Sequence, residues 1–313
     1  MVLDLPLCVL SLAFSIGARA QSSQAPPESG SPFTLRVPVN EISLTFHASN
    51  GKGAPLTGLT VADLQLSDAG NPEHRIMMLQ SYQDLPIRAG FIFDASASML
   101  RYLQANQSMI FLYASQLLRK GVDRAFVMQF EAEPLLRQSW TDNDASIAAG
   151  AADIMELPGR LPVTAIFDTL YRACRDQWKP GGDEATGNFI LLFTDGEDDA
   201  SHVYLSEAID MCQRTRTAIY AIVNRRKSRS SEGQNTLQEL ASKSGGKVFF
   251  HPQGGQILED LQTIEAEQRN QYRLTYTPSN FKADGSFHPI HLTSSVKGAQ
   301  IVARSGYYAF PRK

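Results

Sequence analysis

Phe189-Ile190-Leu191-Leu192-Phe193 is an unbroken apolar run with no polar residue at alternate positions. A strand wet on one face alternates, so a run like this one calls for cover on both faces, as in a parallel sheet between helical layers. The same texture recurs at 87–93, 124–130 and 217–223, with a shorter piece at 247–250. Between these runs lie stretches with apolar residues at helical spacing: 100–118, 165–178, 204–215, 236–244 and 257–269. Residues 133–139 offer a short edge strand. Strand–helix alternation of this kind predicts an α/β fold with a doubly wound, mostly parallel sheet flanked by helices.

On either side the pattern changes to period two. Residues 33–39, 41–47, 63–67 and 76–79 precede the α/β region, and 272–276, 288–293 and 300–308 follow it, with turn signals at Asn50-Gly51 and Asp284-Gly285. Neither flank holds a helical stripe. The simplest arrangement pairs the two sets into one β-sandwich interrupted by the α/β domain, because an insertion is tolerated where chain ends lie close; two unrelated β extensions are the alternative. The expected division is 33–86 and 272–313 for the sandwich and 87–271 for the α/β domain.

The first 20 residues have the form of an export signal. LPLCVLSLAFSIG at 5–17 is apolar and too short to span a bilayer, and Ala18-Arg19-Ala20 supplies a small-x-small cleavage pattern. The segment before it carries Asp4 and no basic residue, which departs from the usual signal. Residues 21–32, QSSQAPPESGSP, read as a polar linker. A formal net charge of −3 gives no global basic field for nucleic acid or an anionic membrane. An exported protein is expected: periplasmic, cell-surface or extracellular.

Three places in the α/β region carry oxygen donors at strand or helix ends. GFIFDASASML at 90–100 runs an apolar strand into Asp94, then places hydroxyls at Ser96 and Ser98 before a helix. The run at 189–193 ends in Thr194-Asp195-Gly196, and Thr164 lies in the loop entering the helix at 165–178. Ligands of doubly wound sheets bind at the carboxyl ends of the strands, where the winding reverses. If the strands ending in Asp94 and Asp195 are neighbours there, two carboxylates and three hydroxyls meet at one edge. That donor set suits a six-coordinate hard cation with water completing the shell.

D-x-S-x-S after the first strand, a lone loop Thr, and a later strand ending T-D-G resemble the von Willebrand factor type A domain and its metal-ion-dependent adhesion site. The resemblance spans about residues 87–267. It implies a metal shell of Asp94, Ser96, Ser98, Thr164 and Asp195, holding Mg²⁺ foremost, with Mn²⁺ or Ca²⁺ as alternatives. It also implies adhesion-type protein binding, a partner Asp or Glu carboxylate completing the shell. The whole chain, with its β-rich flanks, is similar to bacterial secreted proteins related to that family. Two positions depart from the pattern: Ala97 stands where Gly is usual between the serines, and Val163 where Gly often precedes the Thr.

Other features are weaker. Glu197-Asp198-Asp199 can cap the next helix or add a cation contact, and Arg225, Arg226 and Lys227 can form a solvated loop or a basic clamp on an acidic partner. With Glu197, these three are the candidate partner-binding residues. Ser244-Gly-Gly-Lys247 matches S-x-x-K by letters without its companion motifs. His288 and His291, three apart in a strand, point to opposite faces. No nucleophile elbow, P-loop or H-E-x-x-H occurs, so a non-enzymatic binding protein is expected. The other readings are a structural envelope component with a fold-stabilising metal, or a metal-assisted hydrolase. Cys174 and Cys212 fall in expected helices, where a small buried hydrophobe is the commoner role, although an oxidising compartment would permit a bridge.

Overall fold

The computed structural model describes residues 41–72, 74–155, 163–178, 185–223, 231–250, 257–279 and 281–310. The signal-like segment, the linker, the strand expected at 33–39 and the basic residues Arg225, Arg226 and Lys227 all lie outside the described residues. In chain order the elements begin with β1 (Ile42–Ser49), β2 (Leu64–Asp68), β3 (His74–Tyr82) and β4 (Ile87–Asp94). There follow α1 (Leu103–Gln116), β5 (Arg124–Phe130), β6 (Pro134–Thr141), α2 (Asp144–Ala152), α3 (Ile166–Gln177), β7 (Gly187–Phe193) and α4 (Leu205–Arg214). The chain continues through β8 (Thr217–Val223), α5 (Ser231–Ser244), β9 (Val248–Phe250) and α6 (Ile257–Arg269). It ends with β10 (Gln271–Pro278), β11 (Phe287–Ser294), β12 (Gln300–Ala303) and β13 (Gly306–Tyr308).

The apolar runs form a six-stranded sheet in the order β6-β5-β4-β7-β8-β9. All neighbours are parallel except the edge pair β5–β6. Alternate residues of each central strand enter opposite layers, as period two requires. Phe91, Phe93, Val127, Leu191 and Phe193 pack with Ile110 and Tyr113 of α1, Ile147 of α2 and Leu261 and Ile264 of α6. Ile92, Phe126, Ile190, Leu192 and Ile219 pack on the other face with Leu170 of α3, Ile209 of α4 and Leu240 of α5. Both faces are covered, which is why these strands carry so few polar residues.

The flanking strands pair across the chain's two ends. One sheet has the order β12-β1-β10-β3 and the other β13-β11-β2. Leu44 and Phe46 of β1, Leu66 of β2, Leu274 of β10 and Leu292 of β11 share one core, so the two sheets form a sandwich. The region expected as one strand at 300–308 is two, because the chain leaves β12 after Ala303 and enters the other sheet as β13. The α/β insertion begins after β3 and returns to β10, its antiparallel neighbour, with Tyr82 opposite Gln271. Leu85 N–H donates to Arg269 O at 2.9 Å, closing the neck of the insertion.

That neck is built around a buried charge. Arg269 donates to both carboxylate oxygens of Asp123, at 3.0 and 2.7 Å, and to Glu265 at 2.7 Å, while the Ile87 amide donates to Asp123 at 2.9 Å. Burial works to raise the Asp123 carboxyl, but the bonds from Arg269, Arg119 and the two amides outweigh it and bring the pKa down to about 2.

Two helices differ from expectation. α2 carries no clear amphipathic stripe in DASIAAGAA; it starts where Asn143 caps it, its side chain accepting from Ser146 N–H at 2.8 Å. α5 begins at Ser231, five residues before the apolar stripe that marks it. Cys174 of α3 and Cys212 of α4 form a disulfide, correcting the commoner reading of buried free thiols. The sequence could not show that the two helices pack side by side with these positions facing.

Candidate metal centre

β4 and β7 are parallel neighbours with Phe93 opposite Phe193, so Asp94 and Asp195 leave adjacent strand ends. β5 lies on the other side of β4, while β7, β8 and β9 run away from it, so this is where the winding reverses. Both carboxylates are buried, Asp94 at 5% and Asp195 at 3% exposure. Asp94 Oδ1 accepts from Ser96 N–H at 2.9 Å, an Asx turn that folds the loop back over the strand end. Its Oδ2 accepts from the Thr194 hydroxyl at 2.7 Å. Ser98 Oγ donates to Asp195 Oδ2 at 3.0 Å, and the Ser96 and Ser98 hydroxyls lie 3.3 Å apart. Asp94, Ser96, Ser98 and Asp195 therefore form one connected oxygen cluster.

Thr164 sits on the same edge, 8% exposed. Ala95 N–H donates to Phe130 O and Ala165 N–H donates to Glu131 O, at 2.9 and 2.8 Å. Successive carbonyls at the end of β5 thus hold the Asp94 loop and the Thr164 loop side by side. Thr164 N–H donates to Asp199 at 2.6 Å, and Thr164 O accepts from the Asp199 and Ala200 amides, tying it to the loop that follows Asp195. Among the described residues the Thr164 hydroxyl makes no hydrogen bond to the other four positions. Four of the five residues that the resemblance to the von Willebrand factor type A domain implied are joined at this edge, with Thr164 beside them.

By sequence, no family model and no curated protein matches the chain. Solved structures of similar fold include the conserved hypothetical protein BatB from Bacteroides thetaiotaomicron, 17% identical with a TM-score of 0.46, over 57% of this chain and 97% of that one. Another is proximal thread matrix protein 1 from the mussel byssus with a zinc-occupied MIDAS motif, 17% identical, TM-score 0.49, over 64% of this chain and 49% of that one. A third is the vWF domain of the type V pili tip protein Mfa5 from Porphyromonas gingivalis, 10% identical, TM-score 0.45, over 58% and 96%. At these values the likenesses assign no residue and no ligand.

The donor set of this edge fits a hard cation. All its donors are oxygens, and neighbouring ligands of an octahedral ion at about 2.1 Å stand about 3.0 Å apart. The Ser98–Asp195 and Ser96–Ser98 separations of 3.0 and 3.3 Å are of that size. Among the described residues no three His, Cys, Asp or Glu side chains cluster as a metal site, so a cation here rests on the hydroxyls as much as on the carboxylates. Electrostatics point the same way. Burial pushes the Asp94 carboxyl up to about 6; bonds from Ser96 and Thr194 pull it down, and the Asp195 charge raises it again. A bound divalent ion would offset both the desolvation and the like-charge repulsion.

The departures from the family pattern can now be weighed. Among the described residues, the non-glycine positive φ values are at Ala69, Asp84 and Arg216, so Ala97 needs no left-handed backbone. Gly196, by contrast, has φ +87°, and a Cβ there would lie 2.3 Å from the Gly233 carbonyl of α5. The Gly of T-D-G is thus required twice over.

Of the three acids after it, Asp198 accepts from Ile166 N–H at 2.7 Å and from Ser201 Oγ at 2.6 Å. It caps α3, not the helix that follows it in sequence. Asp199 holds Thr164, and the Glu197 side chain lies against Gly233, where a Cβ would sit 2.8 Å from its Oε1. His202, the histidine nearest Asp195 in sequence, is 87% exposed, with Nδ1 2.9 Å from Asp168. Thr194 is the site residue that sequence reasoning passed over. Its signal was its place in T-D-G, one residue beyond the strand.

Proposed function

We propose that this is an exported, non-enzymatic binding protein. A divalent cation held by Asp94, Ser96, Ser98, Thr164 and Asp195 engages a protein partner, whose Asp or Glu carboxylate completes the metal shell. The cation would supply an electrophilic point at the surface. The chain's own residues hold it between two buried carboxylates whose charge nearly cancels its own, and a hard cation of this kind takes a further oxygen ligand readily.

The observation that carries this reading is that two buried carboxylates and the Ser96 and Ser98 hydroxyls meet at one sheet edge that the chain's own hydrogen bonds hold together. Thr194 bonds Asp94, Ser98 bonds Asp195, and the β5 carbonyls hold both loops. A fold-stabilising metal would be expected where the polypeptide fails to close the site itself. Mg²⁺ is the first ion to test, with Mn²⁺, Ca²⁺ and Zn²⁺ beside it. The disulfide supports an oxidising compartment and hence export. Glu197, with Arg225, Arg226 and Lys227, is proposed to flank the partner.

The test is a Mg²⁺-dependent pull-down from the envelope fraction of the producing cell, with Asp195→Ala as control. Partner capture that EDTA abolishes while the melting temperature stays within a few degrees supports the proposal. Capture that survives EDTA refutes it, as does a large loss of melting temperature on metal removal.

A further inference from the structure

A second polar site lies at the opposite end of the α/β sheet. The outer face of the four-stranded sheet covers the N-terminal edge of the α/β domain, leaving between them a cavity of about 50 Å³ lined by Thr45, His47, Gln213, Gln271 and Arg304, among others. By the rule that a water needs about 10–15 Å³ of such space, there is room for a few waters or one small ion.

Three residues form a row across that outer face. Thr45 of β1 is opposite Arg273 of β10. On its other side the register pairs Phe46 with Ala303 and His47 with Val302, so the next position opposite Thr45 is Arg304. Residues directly opposite on antiparallel strands share a face, and Leu44 and Phe46 on either side of Thr45 point into the sandwich core. The row Arg273–Thr45–Arg304 therefore faces away from that core.

Each member of the row has a buried polar atom with no partner. Among the described residues six buried side-chain N or O atoms lack a hydrogen bond, and Thr45 Oγ1, Arg273 Nε and Arg304 Nε are three of them. Buried donors are seldom left unmade, and two of these groups, Arg304 Nε–H and the Thr45 hydroxyl, belong to residues that line the cavity. The guanidinium of Arg304 is fixed at its other end, Nη2 donating to Ser43 O at 3.0 Å. Burial draws the Arg304 pKa below the ordinary value, with the Tyr276 hydroxyl and Asp210 pulling the other way. The acid lining the cavity, Glu267, is already engaged by Lys247 and by the Tyr220 hydroxyl. His47 is fixed by Nδ1 against Asn270 O at 2.6 Å.

We infer that this cleft is a binding site for a small oxyanion, received by Arg304 Nε and the Thr45 hydroxyl, which line it between the sandwich and the α/β domain. Arg273, beside Thr45 on the same sheet face, lies outside the lining, its guanidinium 4.9 Å from the centre of the Tyr82 ring. The Arg304 guanidinium supplies the charge, and the hydroxyl can donate a second hydrogen bond. The site is separate from the metal edge and stands independently of it.

Inorganic phosphate is the probe, titrated into the full chain after EDTA treatment, with binding read by calorimetry and thermal shift. Sulfate and acetate form separate arms that rank tetrahedral against planar oxyanions, and chloride at matched ionic strength is the control. Saturable phosphate binding is expected, weakened about tenfold or more by Arg304→Gln, since it removes a charge-assisted bond. Thr45→Val, which keeps the side chain's shape, is expected to weaken it several-fold, and Asp195→Ala to leave it unchanged. No saturable binding of any oxyanion by the wild-type chain overturns the inference. So does a chloride response of equal size, or phosphate binding that survives both Arg304→Gln and Thr45→Val.

Discussion

Ser98 Oγ donates to Asp195 Oδ2 at 3.0 Å across the junction of β4 and β7, joining two loops 97 residues apart in the chain. The bond places a hydroxyl and a carboxylate at the spacing of adjacent ligands on a hard cation.

Removing a carboxylate should therefore separate metal binding from folding. In Asp195→Ala the Thr194–Asp94 bond and the β5 anchors remain. Mg²⁺ or Mn²⁺ affinity is expected to fall by about a hundredfold or more, since a charged ligand of a divalent ion is lost. The melting temperature should move by only a few degrees. Calorimetric titration of metal into wild type and variant, beside thermal melts in EDTA, checks both halves.

The raised Asp94 pKa gives metal binding a definite pH dependence. Above pH 6 the carboxyl is ionised and ready to bind; below it, a cation must displace a proton, and apparent affinity should drop about tenfold per pH unit. The sign for the metal-free protein is opposite. The folded state holds this proton more tightly than the unfolded chain, at about 6 against 3.8, so the group costs stability above pH 6. That cost is relieved as pH falls through 6 and is gone below 3.8. Metal titrations at pH 5.0 and 7.5, with Asp94→Asn as the variant in which the proton linkage should vanish, measure the effect.

At the other end of the sheet, Asp123 behaves in the reverse sense. Its folded pKa of about 2 lies below the unfolded 3.8, so its contribution is complete above pH 3.8 and is lost as pH falls through 2. Asp123→Asn leaves Glu265 as the carboxylate bonded to Arg269, beside the Leu85 and Leu117 carbonyls, and is expected to cost about 3 kcal/mol, at the low end for breaking a buried pair. Urea unfolding at pH 7 and pH 3 should show the wild type losing more stability with acid than the variant does.

What could be read from the residues followed what local chemistry determines. Phe189–Phe193 demanded cover on both faces and has it; Asp94 and Asp195 were placed at strand ends by the apolar runs before them. The reversal point was a conditional expectation, and the β4–β7 pairing met it. Long-range contacts were not legible. Nothing in Cys174 or Cys212 says that α3 and α4 pack with those positions in contact, and nothing in Asp198 says that it caps a helix 32 residues before it. α2 escaped notice because Ala and Gly at close-packed positions give no contrast between its faces, and Gly150 is pressed against Gln138 of β6. The row Arg273–Thr45–Arg304 needed a register across three strands, which no single stretch of sequence contains.

The disulfide offers a test of how the metal edge is supported. Cys174 and Cys212 are 38 residues apart and both fully buried, linking α3, which follows Thr164, to α4. Closing a loop of that length is worth about 3–4 kcal/mol by restricting the unfolded chain. The double variant Cys174→Ala/Cys212→Ala should lose about 3 kcal/mol in urea unfolding. Dithiothreitol in the denaturant should bring wild type down to the variant and leave the variant unmoved. Thr164 is held by Asp199 and by the end of β5, neither of which contacts the bridge through a hydrogen bond. Mg²⁺ affinity of the double variant should consequently stay within about threefold of wild type under conditions where both are folded. A loss of tenfold or more would show that the α3–α4 link positions the Thr164 loop, and calorimetry at low temperature distinguishes the two outcomes.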